Sequence, residues 1–144
     1  MIAGNADTKG EKRVAGFFTT FDIRLTDYSD EIWLTLAPLG YYSAILDCVI
    51  EVPTFFYTDL ASVPRVPIAY RFWGGKAHRE GVLHDFLYRI DSKPCVTMAQ
   101  ANAVFKEAML SRGKSCWIRN PMYWGVCLGG KGSYHKRYVK EQLK

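Results

Sequence analysis

The chain reads as an α+β domain: an N-terminal antiparallel sheet followed by three packed helices. Two patterns predict it. Aromatic and β-branched runs broken by turn residues fill the chain up to Pro53, and helically spaced apolar residues with caps and stops fill it from Ala77 onward. Size agrees. A chain of 144 residues, 49% of them hydrophobic, makes one domain with enough mass for a core, and no repeat or linker divides it.

Taken in order, Met1 to Arg13 is polar and Gly-containing, and reads as a flexible arm or a strap on a partner. Phe17 to Leu25 is the first strand. Ile32 to Leu36 is the second, bounded by Ser29 and Asp30 before it and by Pro38 and Gly40 after it. Ala44 to Val52 is the third. There Ile45, Asp47, Val49 and Glu51 alternate with Leu46, Cys48, Ile50 and Val52, and the acids on the odd set turn the even set toward the core. Tight connections favour an antiparallel meander, and Pro53 ends the pairing.

The first helix is expected over Ala77 to Ile90, with Leu83, Leu87 and Ile90 on one side and Val82 and Phe86 beside them. Thr97 and Gln100 fit a capping box, since each side chain can satisfy a helix-end N–H. Ala101, Val104, Phe105, Ala108 and Met109 then form an apolar stripe, and Gly113 suits the stop. Asn120 and Pro121 form an N-cap and N1 pair for a third helix through Leu128, ended by Gly129 and Gly130. Residues 131–144 form a basic C-terminal tail.

Charge narrows the partners. The net charge is +5, much of it late: Lys106, Arg112, Lys114, Arg119, Lys131, Lys136, Arg137, Lys140 and Lys144. Such a block suits nucleic acid or an anionic surface, and the blander reading is a solvated basic face. Cys48, Cys95, Cys116 and Cys127 show no metal-ligand spacing, and Cys48 and Cys127 sit in apolar runs as buried thiols. Four reduced cysteines in a reducing compartment are expected. No charged-then-apolar signal segment opens the chain, and no apolar run approaches membrane-spanning length.

Two short segments carry the chemistry. Thr58-Asp59-Leu60-Ala61-Ser62-Val63-Pro64-Arg65 and His84-Asp85-Phe86-Leu87-Tyr88-Arg89 crowd ionisable and hydroxyl groups into apolar surroundings. Such groups are costly to bury unless they pair, bind a metal or meet a substrate, so the two segments are expected to face each other. His84 and Tyr88 share a helix face four residues apart, with Gly81 leaving room above it, and Asp85 and Arg89 share the adjacent stripe. In a hydrolytic reading His84 is the general base, Asp59 orients it, and Ser62 is the nucleophile or a donor. Arg65, Arg89 and Tyr88 would bind substrate, an anionic group being held by the guanidinium. In a metal version His84, Asp85 and Asp59 hold a divalent cation. No G-x-S-x-G elbow surrounds Ser62.

A structural reading covers the same residues. Asp59 caps a turn, Ser62 caps a short helix opened by Pro64, Asp85 and Arg89 make an ordinary helix pair, and His84 donates to a carbonyl in the core. His78 and His135 carry no motif and read as surface.

These segments also resemble a family. The run Val52-Pro53-Thr54-Phe55-Phe56-Tyr57-Thr58-Asp59 through Arg65, the run His84 through Arg89, and Ala101-Asn102-Ala103-Val104-Phe105-Lys106-Glu107-Ala108-Met109 are similar to the signature of small phage and prophage proteins grouped as a domain of unknown function. The resemblance covers the chain from about Trp33 to Gly129-Gly130. Phe55 stands where a Gly is common in that signature, and Asn102 where an Asp is common, which removes a carboxylate. The adjacent His84 and Asp85 with Tyr88 also look like the H-D-x-x-Y helix of secreted phospholipase A2, where the His activates water and the Asp holds calcium. The flanking half-cystines and the Gly-rich calcium loop of those enzymes are missing here. The family resemblance implies a phage origin without an activity. Three roles follow: a small hydrolase, a virion or tail accessory or assembly protein in which the polar cluster is structural, or a module that binds a host protein. Each places the chain in the host cytoplasm or the virion.

Overall fold

The structure, a computed structural model, describes residues 13–60, 77–129, 132 and 134–143. The expected arm lies outside the described residues up to position 12, as do Ser62, Arg65 and Lys131. Among the described residues the architecture is α+β, with two small antiparallel sheets on the N-terminal side and three helices after them.

Six strands are described: β1 (Gly16–Phe17), β2 (Ile23–Leu25), β3 (Trp33–Thr35), β4 (Leu39–Ser43), β5 (Cys48–Val52) and β6 (Tyr57–Thr58). One sheet runs β1-β4-β5 and the other β2-β3-β6. The expected single strand over Phe17 to Leu25 is therefore two strands in different sheets. The expected third strand from Ala44 begins only at Cys48, because residues 44–47 turn the chain between β4 and β5, with Asp47 at a φ of 49°. Its face assignment holds: Ile50 and Val52 are buried while Val49 and Glu51 are exposed. Strand β4 crosses Gly40, where a Cβ would meet the Phe18 ring at 2.5 Å.

Thr35 joins the two sheets. Its hydroxyl donates to Pro53 O and accepts from Phe56 N, each at 2.8 Å. Its backbone exchanges bonds with the same turn, Phe55 N donating to Thr35 O and Thr35 N to Phe56 O. This turn sets Phe55 at a φ of 60° although its side chain is 67% exposed. That left-handed conformation is costly for any side chain but glycine, which gives a physical reason for a glycine at this place.

Helices α1 (His78–Leu87), α2 (Met98–Ser111) and α3 (Cys116–Gly129) follow. The capping box of α2 forms as expected, Gln100 N donating to the Thr97 hydroxyl and Thr97 N to Gln100 Oε1. Gly113, at a φ of 73°, follows its end. Helix α3 starts earlier than Asn120: its first turn is at Cys116, and Pro121 lies inside it. Helix α1 packs on β5 and β6, α2 on β1 and β4, and α3 on α2.

The main core joins Leu39, Tyr41, Ile50 and Val52 of the sheet to Val82, Leu83 and Leu87 of α1 and Val104 and Ala108 of α2. A second cluster, Phe105, Met109, Met122 and Val126, seals α2 to α3. Helix α1 is so central that its polar residues Glu80 and His84 are buried with its leucines. Glu80 meets Arg112, just past the end of α2, at 3.3 Å, and Glu107 of α2 accepts from the Tyr41 hydroxyl and from Ile45 N. Residues 134–143 pack back on the domain. Tyr134 donates its hydroxyl to Val96 O, His135 N donates to Tyr88 O, and Ile90 N donates to Arg137 O. His135, read from sequence as surface, is half-buried and stacked on Tyr134. All four cysteines are free thiols, Cys48 and Cys127 half-buried and Cys95 and Cys116 exposed.

Candidate functional site

The described part of the first segment, Thr58 to Leu60, meets the second on α1. A Cβ on Gly81 would lie 2.5 Å from Leu60 O and 2.8 Å from its carbonyl carbon, so only glycine lets the chain after β6 come this close to the helix. Leu60 itself has a φ of 63°. The approach is tied by Thr58, whose hydroxyl donates to Asp85 Oδ2 at 2.5 Å and accepts from Leu60 N.

His84 faces the core and is 3% exposed. Its Nε2 lies 2.8 Å from Asn102 Oδ1 on α2, and the Tyr88 hydroxyl donates to the same oxygen at 2.6 Å. An amide oxygen only accepts, so Nε2 carries the proton and the imidazole is held in one tautomer. The ring packs against Tyr88 at 4.0 Å and Phe105 at 5.0 Å between centroids. Asn102 Nδ2 reaches Cys127 Sγ of α3 at 3.7 Å, so one amide links all three helices. His84 Nδ1 is buried with no hydrogen-bond partner among the described residues.

Burial pushes the His84 pKa down to about 4, against the upward pull of the Asn102 bond and of the negative charge of Asp59. Burial likewise pushes the Tyr88 hydroxyl up to about 12. At neutral pH the cluster is thus an uncharged network of imidazole, phenol and amide.

Arg89 is buried just past α1. Its Nη2 donates to Tyr57 O at 3.1 Å, and its guanidinium lies 5.1 Å from the centre of the Phe56 ring. Burial lowers its pKa, and the Asp85 carboxylate offsets this most strongly. Asp59 is exposed on the chain after β6, and its charge reaches both His84 and Arg89. The residues singled out from sequence therefore divide into two neighbouring groups: His84 with Tyr88, and Asp85 with Arg89 and Thr58.

Sequence reasoning missed Asn102 as the hub of the first group. Its one trace was a polar amide inside the apolar run Ala101 to Phe105. It also missed Glu80, because a carboxylate in a His-Arg-Glu run reads as solvated. Among the described residues no three His, Cys, Asp or Glu side chains gather as metal ligands, and no helix is long and apolar enough to cross a membrane.

Residues 33–126 match the family model described as Protein of unknown function (DUF1353). No curated protein and no solved structure matches the chain.

Proposed function

From the premise that the chain belongs to the DUF1353 family of proteins of unknown function, we propose that it is a small phage accessory protein, acting in assembly or as a virion or tail component. In this reading its signature histidine holds the fold together. The phage setting rests on the motif resemblance. The structural role rests on one observation: His84 is sealed between Tyr88 and Phe105 with its Nε2 proton spent on Asn102. A general base works best with a pKa near the operating pH, and burial holds this imidazole well below it.

One observation favours a hydrolytic reading instead. The Nδ1 lone pair has no partner among the described residues, and Asn102 fixes the ring as an orienting residue would. His84 would then take a proton at Nδ1, Ser62 or a water being the nucleophile, with Arg65, Arg89 or Tyr88 on the substrate. A divalent cation on Asp85 would need ligands beyond the described residues.

Substitution separates the readings. His84→Ala removes a packed ring and leaves the Tyr88–Asn102 pair short of a partner, so the structural role expects a loss of about 2–4 kcal/mol in chemical denaturation. The hydrolytic role expects near-normal stability with activity gone in a phage complementation assay. An unchanged melting temperature would overturn the structural assignment. Mass spectrometry of purified particles tests the virion location, and a protein found only in infected-cell extract argues against it.

A further inference from the structure

Helix α3 packs on α2, and its two faces differ. Met122 and Val126 are buried against Phe105 and Met109 of α2. Trp117, Trp124 and Leu128 are spaced by seven and then four residues, which puts them on one stripe of the helix. They are 82%, 61% and 81% exposed. Asn120, three residues after Trp117, is also exposed, and Arg119 is the only charged residue in the helix.

The charge along this stretch of sequence is of one sign. From Ala108 to Gly129 the sequence carries Arg112, Lys114 and Arg119 and no Asp or Glu. Arg112 is engaged by Glu80, but Lys106 Nζ sits 4.8 Å from the centre of the Tyr123 ring, and that ring lies 5.9 Å from Trp124. Arg119 is half-buried on the side of Met122 and Val126, its Nη1 donating to Lys114 O, so Lys106 and Lys114 are the cations nearest the exposed stripe. The helix thus joins indole rings and an exposed Leu to a cationic flank. Indole suits the boundary between headgroup and acyl chain, and the Lys side chains suit anionic headgroups.

We propose that the outer stripe of α3 docks on an anionic lipid-bilayer surface. Trp117, Trp124 and Leu128 enter the headgroup boundary, and Lys106 and Lys114 supply the charge. The helix lies in the plane of the surface. At fourteen residues it is too short to cross. A second copy of the chain fits less well, because pairing two such stripes would bring the same cationic flanks together. Single-stranded nucleic acid would use the indoles for stacking but gives an exposed Leu no apolar partner. The proposal is independent of His84, so the vesicle assay and the His84 experiment fail separately.

The test is co-sedimentation of the full chain with vesicles of equal phosphatidylglycerol and phosphatidylcholine, beside vesicles of phosphatidylcholine alone. Partitioning should be at least about tenfold stronger on the anionic vesicles, with a blue shift of Trp emission, and should weaken as salt rises. The Trp117→Ser/Trp124→Ser variant should keep its circular dichroism and lose most of the binding. Leu128→Asn gives a second, milder reading if the double variant folds poorly. No binding to anionic vesicles overturns the proposal, and so does equal binding by the variants. Sedimentation velocity showing a dimer that the variants abolish would assign the stripe to self-association instead. Binding to an acidic protein or to oligo-dT, lost in the variants while vesicles stay unbound, would overturn it as well.

Discussion

The His84 imidazole is neutral in the folded protein at physiological pH, and this sets how the protein answers to acid. In the unfolded chain it takes a proton near pH 6.5, while the folded state resists until about pH 4. The unfolded state binds more protons across that interval, so stability is complete above about pH 6.5 and falls as pH drops toward 4. The loss from this one group is about 3 kcal/mol at its largest. Urea denaturation at a series of pH values should show that decline in the wild type and a flatter profile in His84→Gln, and parallel profiles would refute it. His84 and Tyr88 were legible as a pair because four residues on a helix is a local relation. Asn102 was not, since it lies on another helix and only packing brings it within 2.8 Å. The sequence reading set Asp59 beside the imidazole as its orienting residue; the structure puts the Asn102 amide on Nε2, with the charge of Asp59 reaching the ring.

Among the elements, the helices were easier to read than the strands. The Thr97 capping box and the buried Val104, Phe105 and Ala108 follow from side chains one turn apart. Pro121 was read as a helix start, but α3 tolerates it in its second turn, where the missing N–H costs one backbone bond. Strand β4 went unseen because Gly40 looked like a boundary, although it provides the space in which the Phe18 ring lies. Gly81 offers the sharpest test at this scale. An alanine there gains about 1 kcal/mol of helix propensity, yet its Cβ would collide with backbone at Leu60, which no rotamer change can relieve. Gly81→Ala should therefore destabilise by about 1–3 kcal/mol in thermal or chemical unfolding. A stabilised variant would mean that α1 and the chain after β6 are less tightly apposed than described.

For the whole molecule, the α+β class followed from the change of period along the chain, but the division into two sheets did not. That division depends on which strands pair, and β3 pairs with β6 across the intervening β4–β5 hairpin, a relation that no local window contains. The return of the last residues was equally hidden, because their basic composition gives no sign of Leu143 being buried or of Tyr28 donating its hydroxyl to Leu143 O. Deleting residues 134–144 removes those contacts and the bonds to Tyr88, Ile90 and Val96. At about 1 kcal/mol for each hydrogen bond, the truncated chain should lose roughly 3 kcal/mol or more, read as an earlier urea midpoint. An unmoved midpoint would show that this segment is held only loosely.

The Thr35 junction also bears on the order in which the chain closes. Thr35 and Phe56 are 21 residues apart, a long excursion to bring together unaided. Most of it is taken up by the β4–β5 hairpin, whose outer pair Leu39 and Val52 leaves only short connectors to either side. Once that hairpin has zipped, closing the junction costs about 1 kcal/mol less in loop entropy. The second sheet thus inherits its proximity from the first: a local turn makes a distant contact near.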